Sequence, residues 1–270
     1  MKFSCLMSCY EKDDPKALKQ CFESLLAQTR HADEVVLVKD GILPHQLEEE
    51  IKIYTHKLPI KIISLKENKG LGNALRLGVQ ACAYEIIART DADDICAPNR
   101  FEYQIGLFES HSELDVIGTW ISEFENDPKE IYAYRVLPER HEEILKYAKR
   151  RNPLNHMTVA FKKRSVINAG NYDPDFKFAQ DYLLWANMLM KGYQFKNIPL
   201  YLVNARAGTK MLERRGGSNY FSYEIQLQQR FYNMGLINRY ELLSNLIMRG
   251  FVRLVPNKLR GIIYKRILRK

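Results

Sequence analysis

Glu85-Ile-Ile-Ala-Arg-Thr-Asp91-Ala-Asp93-Asp94 is a short apolar run that leads into three acids within four residues. A run of this length reads as a buried strand, and the acids fall just past its carboxyl end. The same pattern occurs twice earlier in the chain. Phe3 to Ser8 runs into Ser8-Cys-Tyr10, and the β-branched Glu34-Val-Val-Leu-Val38 ends at Lys39-Asp-Gly41. Helical spacing fills the intervals. Leu18, Cys21/Phe22 and Leu25/Leu26 mark Pro15 to Gln28, a second helix covers about Pro44 to His56, and Asn68-Lys-Gly-Leu-Gly72 opens a third after the strand Ile60 to Leu65. Strands and helices in alternation, with short connections, predict right-handed crossovers and a largely parallel α/β sheet in this part of the chain. Ligands of such sheets collect at the carboxyl ends of the strands, which makes the three turns the candidate site.

Three carboxylates packed this closely repel one another, and a divalent cation offsets that cost. Cys96 and not Gly stands at the sixth position counted from Asp91, so the loop is not an EF-hand. So few oxygen ligands suit Mg²⁺ or Mn²⁺ shared with substrate phosphates, where the ion neutralises charge on a departing diphosphate. A Gly-x-x-x-x-Gly-Lys-Ser/Thr loop occurs nowhere. Beyond residue 97 the pattern is less regular: a helix near Pro98 to His111, strands near Asp115 to Ile121 and Thr158 to Phe161, and helices near Asp181 to Lys191 and Ser218 to Asn233.

In this order, Ser8-Cys-Tyr10, Ser24-Leu-Leu-Ala-Gln-Thr29, Val38-Lys-Asp-Gly41, Asn68-Lys-Gly70 and Asp91-Ala-Asp-Asp94 resemble the family 2 inverting glycosyltransferases of GT-A fold. The likeness continues through Asn155-His-Met-Thr158, Gly170-Asn-Tyr172 and Gln180-Asp-Tyr-Leu-Leu-Trp185, and spans about residues 1 to 235. It implies a Rossmann-like nucleotide-binding mixed sheet flanked by helices, with residues 1–237 as one domain. About 1–97 would form the nucleotide-binding half and 98–237 the acceptor half. It also implies roles. Tyr10 would pack by the nucleobase with Ser8 lining the pocket, Asp40 would bind the base, Asp91 would face the ribose, Asp93 the metal, and Asp94 would support the loop. Lys39 stands where the family usually has a second Asp. Asp181 would be the catalytic base, since Gln180 replaces the acid that normally precedes it. A plain helix N-terminal acid is the structural alternative for Asp181.

His156 matches the family pattern as an acceptor or phosphate contact, against the common structural role of a lone histidine. Arg206, Arg214 and Arg215 lie around Gly208 and Gly216-Gly217, which suits a loop closing over a diphosphate. A solvated charge run is the competing reading of those arginines. Arg76, on the helix after Asn68-Lys-Gly70, is a further candidate for the nucleotide.

The chain has 270 residues and a formal net charge of +9, and residues 238–270 hold nine Lys/Arg against the single acid Glu241. Residues 1–237 are therefore close to neutral. Leu242, Leu243, Leu246, Ile247, Phe251 and Leu254 share one half of a helical wheel, and Leu259, Ile263 and Ile267 follow among basic residues. This basic amphipathic tail predicts a helix lying in an anionic membrane surface. Nucleic acid is not expected as a partner, because the bases interleave with Ile and Leu and no nucleic-acid-binding motif occurs. Five cysteines without a Cys-x-x-Cys pair argue against a disulfide framework or zinc ribbon. The expected location is the cytoplasm, peripheral on the inner face of the cytoplasmic membrane. The expected reaction moves a sugar from a UDP-linked donor to a hydroxyl of a lipid-linked saccharide in surface-polysaccharide synthesis. A nucleotidyltransferase would open instead with a Gly-rich loop after its first strand, and an inactive binding module would not need the acids of the strand ends.

Overall fold

The computed structural model describes residues 1–176, 178–207 and 218–254. Four parallel strands build one side of a nine-stranded sheet: β1 (Phe3–Cys9), β2 (Glu34–Lys39), β3 (Ile60–Ser64) and β4 (Ile86–Arg89), in the order β3-β2-β1-β4. Helices α1 (Pro15–Leu26), α2 (His45–Thr55) and α3 (Leu71–Ala81) make the crossovers. The helix α1 starts where it does because Asp14 accepts from the Lys16 amide and Pro15 tolerates the first turn.

Beyond β4 the sheet becomes mixed. β8 (Ala160–Lys162) pairs antiparallel with β4, and β6 (Leu114–Phe124) antiparallel with β8. β9 (Gln194–Arg206) runs parallel to β6, with bulges around Trp120, while β5 (Ile95–Cys96) and β7 (Ala133–Arg135) add short antiparallel pairs. The remaining helices are α4 (Arg100–Ser110), α5 (His141–Ala148), α6 (Lys163–Asn168), α7 (Gln180–Met190), α8 (Ser218–Asn233) and α9 (Arg239–Leu254).

Alternation along β1 feeds two cores. Cys5 and Met7 join Leu18, Phe22, Leu47, Phe101 and Ile105 on one face, and Leu6 joins Leu75, Val79, Phe161 and Trp185 on the other. Helix α3 sits so close to the sheet that a Cβ at Gly78 would meet Leu6 Cδ1 at 2.3 Å. The five cysteines are free and buried, and burial pushes the thiols of Cys5, Cys9, Cys21 and Cys82 upward, so they pack as protonated apolar groups.

The first half of the basic tail is a helix docked on the body. Asn238 and Glu241 cap α9 reciprocally, each accepting from the other's amide at 2.9 Å. Asn245 is buried and donates to the Lys149 carbonyl and to Gln228, both at 2.8 Å, and Arg249 pairs with buried Glu224. Tyr240, Leu243, Ile247 and Met248 face outward and are exposed. No described helix is long and apolar enough to cross a membrane.

Candidate active site

The first turn follows β1. Ser8 is half-buried at the strand end, and the Tyr10 amide donates to Asp13 at 2.9 Å while Asp13 donates back to the Tyr10 carbonyl at 3.1 Å. This closed turn fixes where the Tyr10 ring leaves the backbone.

The second turn follows β2. Asp40 is 5% exposed, and its two oxygens accept the backbone amides of Lys69 at 2.8 Å and Gly70 at 2.9 Å, just before α3. Gly41 has φ 96°, and a Cβ there would come within 2.8 Å of the Asn68 amide nitrogen, so the turn requires glycine. A shallow pocket of about 150 Å³ opens here, lined by Glu11, Asp40, Gly41, Ile42, Lys66, Glu67 and Asn68. Lys39 does not enter it: its Nζ pairs with Glu48 of α2.

The third turn follows β4. Asp91, Asp93 and Asp94 bring ligand oxygens within 4.8 Å of one another. Asp91 is gripped through both oxygens by the guanidinium of Arg89, the last residue of β4. Asp94 is 2% exposed; its Oδ1 accepts the Arg206 amide at 2.8 Å, and its Oδ2 is buried without a partner among the described residues. Burial, then the charge of Asp91, raises the pKa of Asp93 to about 6. Burial and both neighbours push Asp94 well above the usual carboxylate range. Two acids held in this state, one with an unsatisfied buried oxygen, form a donor set that suits a hard divalent cation.

Arg206 ends β9 and is not part of the loop with which its sequence neighbours group it. Its guanidinium reaches Gln20 at 2.6 Å and the Asp93 carbonyl at 3.2 Å, and it stacks over Phe124. It therefore braces the acidic turn. Arg214 and Arg215 lie outside the described residues. Arg76 of α3 points its guanidinium at the carbonyls of Gly170 and Tyr172, at 3.2 and 3.1 Å, and so ties α3 to the turn before α7.

Asp181 lies in the first turn of α7, after Ala179 at φ 55°. Its Oδ2 accepts from Asn152 at 2.6 Å, and it is half-buried. Half-buried His156 meets buried Tyr172: His156 Nε2 lies 2.9 Å from the Tyr172 hydroxyl. Burial and then the charge of Arg89 hold the His156 pKa well below the usual histidine value, so the ring is neutral. Tyr172 feels the charges of Arg89, Asp181 and Asp91.

Arg89, Gln20, Asn152 and Arg100 escape a reading by motif. Arg100 is fully buried and donates to the Arg89 carbonyl at 2.5 Å and to Gln104 at 3.0 Å. The available signal was a charged residue closing an otherwise apolar strand at Arg89, a position where an unpaired charge is costly.

The chain matches the model "Glycosyl transferase family 2" over residues 4–170. It is 43% identical, over the full length of both proteins, to an uncharacterized glycosyltransferase of Haemophilus influenzae. It is 37% identical to the UDP-Gal:alpha-D-GlcNAc-diphosphoundecaprenol beta-1,3-galactosyltransferase of Escherichia coli, covering 100% of this chain and 97% of that protein. The crystal structure of S. aureus TarS 1-349 in complex with UDP superposes with a TM-score of 0.70 at 16% identity, covering 98% of this chain and 79% of that one, and shares the GT-A fold. The chain belongs to glycosyltransferase family 2.

Proposed function

We propose that this member of glycosyltransferase family 2 transfers a hexose from a UDP-linked donor, with inversion, to a hydroxyl of a lipid-linked saccharide. The observation that carries the reading is the placement of Asp40 at the carboxyl end of β2 and of Asp91, Asp93 and Asp94 at that of β4, the two parallel strands that flank β1, with Asp181 on a separate helix. The relative that acts on a diphosphoundecaprenol acceptor supports the acceptor class.

In this reading the base stacks near Tyr10 and Ser8 over the pocket beside Asp40, and Asp91 meets the ribose. Asp93 would hold Mn²⁺ or Mg²⁺, with the free Asp94 Oδ2 beside it. Such an ion supplies neutralisation of the leaving diphosphate. Asp181, oriented by Asn152, takes the proton of the attacking hydroxyl as the new glycosidic bond forms. His156 and Tyr172, neutral and bonded to each other, form the wall between donor and acceptor. Residues 1–97 carry the nucleotide half and 98–237 the acceptor half, and Arg214 and Arg215 are proposed to contact the diphosphate.

The outer face of α9 and the six bases of residues 255–270 are proposed to rest on an anionic membrane, at the inner face of the cytoplasmic membrane. No nucleic acid is involved. The test is release of UDP from a panel of UDP-hexoses, with and without Mn²⁺ or Mg²⁺. Metal-dependent release that accelerates with a GlcNAc-diphospho-alkyl acceptor is expected, and a chain inert towards every UDP-hexose would sink the reading.

A further inference from the structure

Arg89 is the cation that grips the first acid of the turn through its side chain. It is 1% exposed, its backbone amide is held by the Val159 carbonyl at 2.7 Å and its carbonyl by Arg100 at 2.5 Å. The side chain thus leaves a rigid strand end in a fixed direction, and both of its terminal nitrogens meet the two oxygens of Asp91. A two-pronged guanidinium–carboxylate contact fixes the plane of the carboxylate as well as its charge. Among the described residues, Asp93 and Asp94 have no such clamp. Asp94 keeps one buried oxygen unsatisfied, and Asp93 touches the cation Arg206 only through its backbone carbonyl.

From this asymmetry we infer that Arg89 is a positioning residue that withholds Asp91 from the metal and reserves it for the donor. The inference rests on the donor reading given above. The clamp offsets the charge of Asp91 within the turn and leaves Asp93 and Asp94 as the oxygen donors for a divalent cation. Without the clamp, Asp91 would be a third, freely rotating ligand, and the turn would bind the ion without nucleotide and lose its preset contact to the sugar of the nucleoside. With the clamp, the ion keeps open positions for phosphate oxygens, which Mn²⁺ and Mg²⁺ sites shared with nucleotides require.

A charge-neutral double substitution separates ligation from charge. Arg89→Met with Asp91→Asn removes one positive and one negative group, and replacing a buried pair by uncharged side chains is commonly tolerated. Binding of Mn²⁺ alone, measured by electron paramagnetic resonance of the free ion, is expected to stay within about threefold of the native chain, because Asp91 is not a ligand. Asp93→Asn is expected to weaken the same binding by about thirtyfold or more. Affinity for UDP in saturating Mn²⁺ should fall about tenfold in the double variant, through loss of the preset Asp91. A double variant that loses Mn²⁺ as severely as Asp93→Asn makes Asp91 a ligand and overturns the inference.

Should the double variant not fold, Arg89→Lys decides the matter. It keeps the charge but offers one contact point, so UDP affinity is expected to drop severalfold with Mn²⁺ binding retained, and native UDP affinity overturns the inference. A native chain that binds Mn²⁺ but not UDP fails at the donor reading instead, which distinguishes the two failures.

Discussion

The donor side and the acceptor side of this site treat their acids differently. Asp40 and Asp91 have both oxygens occupied, by the amides of Lys69 and Gly70 and by Arg89, and each bond joins a strand end to a rigid neighbour. Asp181 takes one bond, from Asn152, and no other among the described residues. The partners differ in kind as well. Backbone amides and a buried guanidinium stabilise a charge permanently, whereas a single neutral amide orients a carboxylate and leaves it able to accept a proton. In the proposed reading, the acids that meet the nucleoside are held through both oxygens, while those that meet the metal and the acceptor keep an oxygen open.

Breaking the donor side should cost most. Asp93→Asn removes a charged oxygen donor from the acidic turn, and transfer is expected to fall about a thousandfold because a neutral amide holds a hard cation poorly. Circular dichroism and melting temperature should stay near native, since Asp93 fixes no packing. Near-normal turnover in this variant would leave the metal reading without support.

The acceptor side should show a different signature. Asp181→Asn is expected to lower kcat by about a hundredfold or more while UDP affinity changes little, as for a group that acts mainly in the transition state. Asn152→Ala, which frees the carboxylate without deleting it, should cost about tenfold in kcat through lost orientation. If UDP binding falls in parallel with kcat in either variant, Asp181 belongs to the nucleotide site and the contrast between the two sides is broken.

The same contrast explains what could be read from sequence. β1, β2 and β4 are short apolar runs with polar strand ends, and the acids of the donor side are sequence neighbours of those ends, so fold and candidate residues emerge together. The acceptor side is assembled from segments far apart. β9 carries no legible strand pattern: Gln194, Lys196 and Asn197 interrupt its apolar run, Pro199 falls within it, and its bulges break the two-residue alternation. Helix α5, with three charged residues and a histidine in eight positions, offers too short an apolar pattern to read. Partnerships such as Arg206 with Gln20, or Arg249 with Glu224, join residues that only the tertiary fold brings together. Local pattern reveals where a chain stops being a strand, but not which distant side chain meets it there.

A smaller effect follows from the strain stored among the donor acids. With its pKa raised to about 6, Asp93 binds protons more tightly in the fold than in the unfolded chain. Stability is therefore fully present at pH values below the unfolded carboxylate range and declines as pH rises from about 4 through 6. In chelator, the melting temperature should drop by a few degrees between pH 5 and pH 7, corresponding to about 1 kcal/mol after allowance for partial solvation. Adding Mn²⁺ at pH 7 should remove most of that drop, since the ion binds the ionised form. A melting temperature that rises across this interval in chelator would contradict the direction, and Asp93→Asn should flatten the profile.

The contrast of a fixed side and a free side recurs at α9, where the expected effect on catalysis is smallest. Its inner face is bound by Asn245, Arg249 and Glu241, so the helix cannot leave the body without breaking the buried bonds to Gln228 and Glu224. Its outer face presents Leu243 and Ile247, 60% and 64% exposed, with Met248 beside them. Inserting such groups into a membrane surface removes apolar area from water at about 25 cal/mol per Å². Leu243→Asp with Ile247→Asp should therefore reduce co-sedimentation with anionic vesicles about tenfold, through lost burial and added repulsion. UDP release in solution should be unchanged, because neither residue touches the candidate site. Raising the salt concentration should weaken the native chain's attachment only in part, since screening acts on the bases and not on Ile247. If the double variant sediments like the native chain, the outer face of α9 is not the membrane contact. If it fails to fold, Ile247→Ser tests the same face without adding charge, with a loss of about threefold expected.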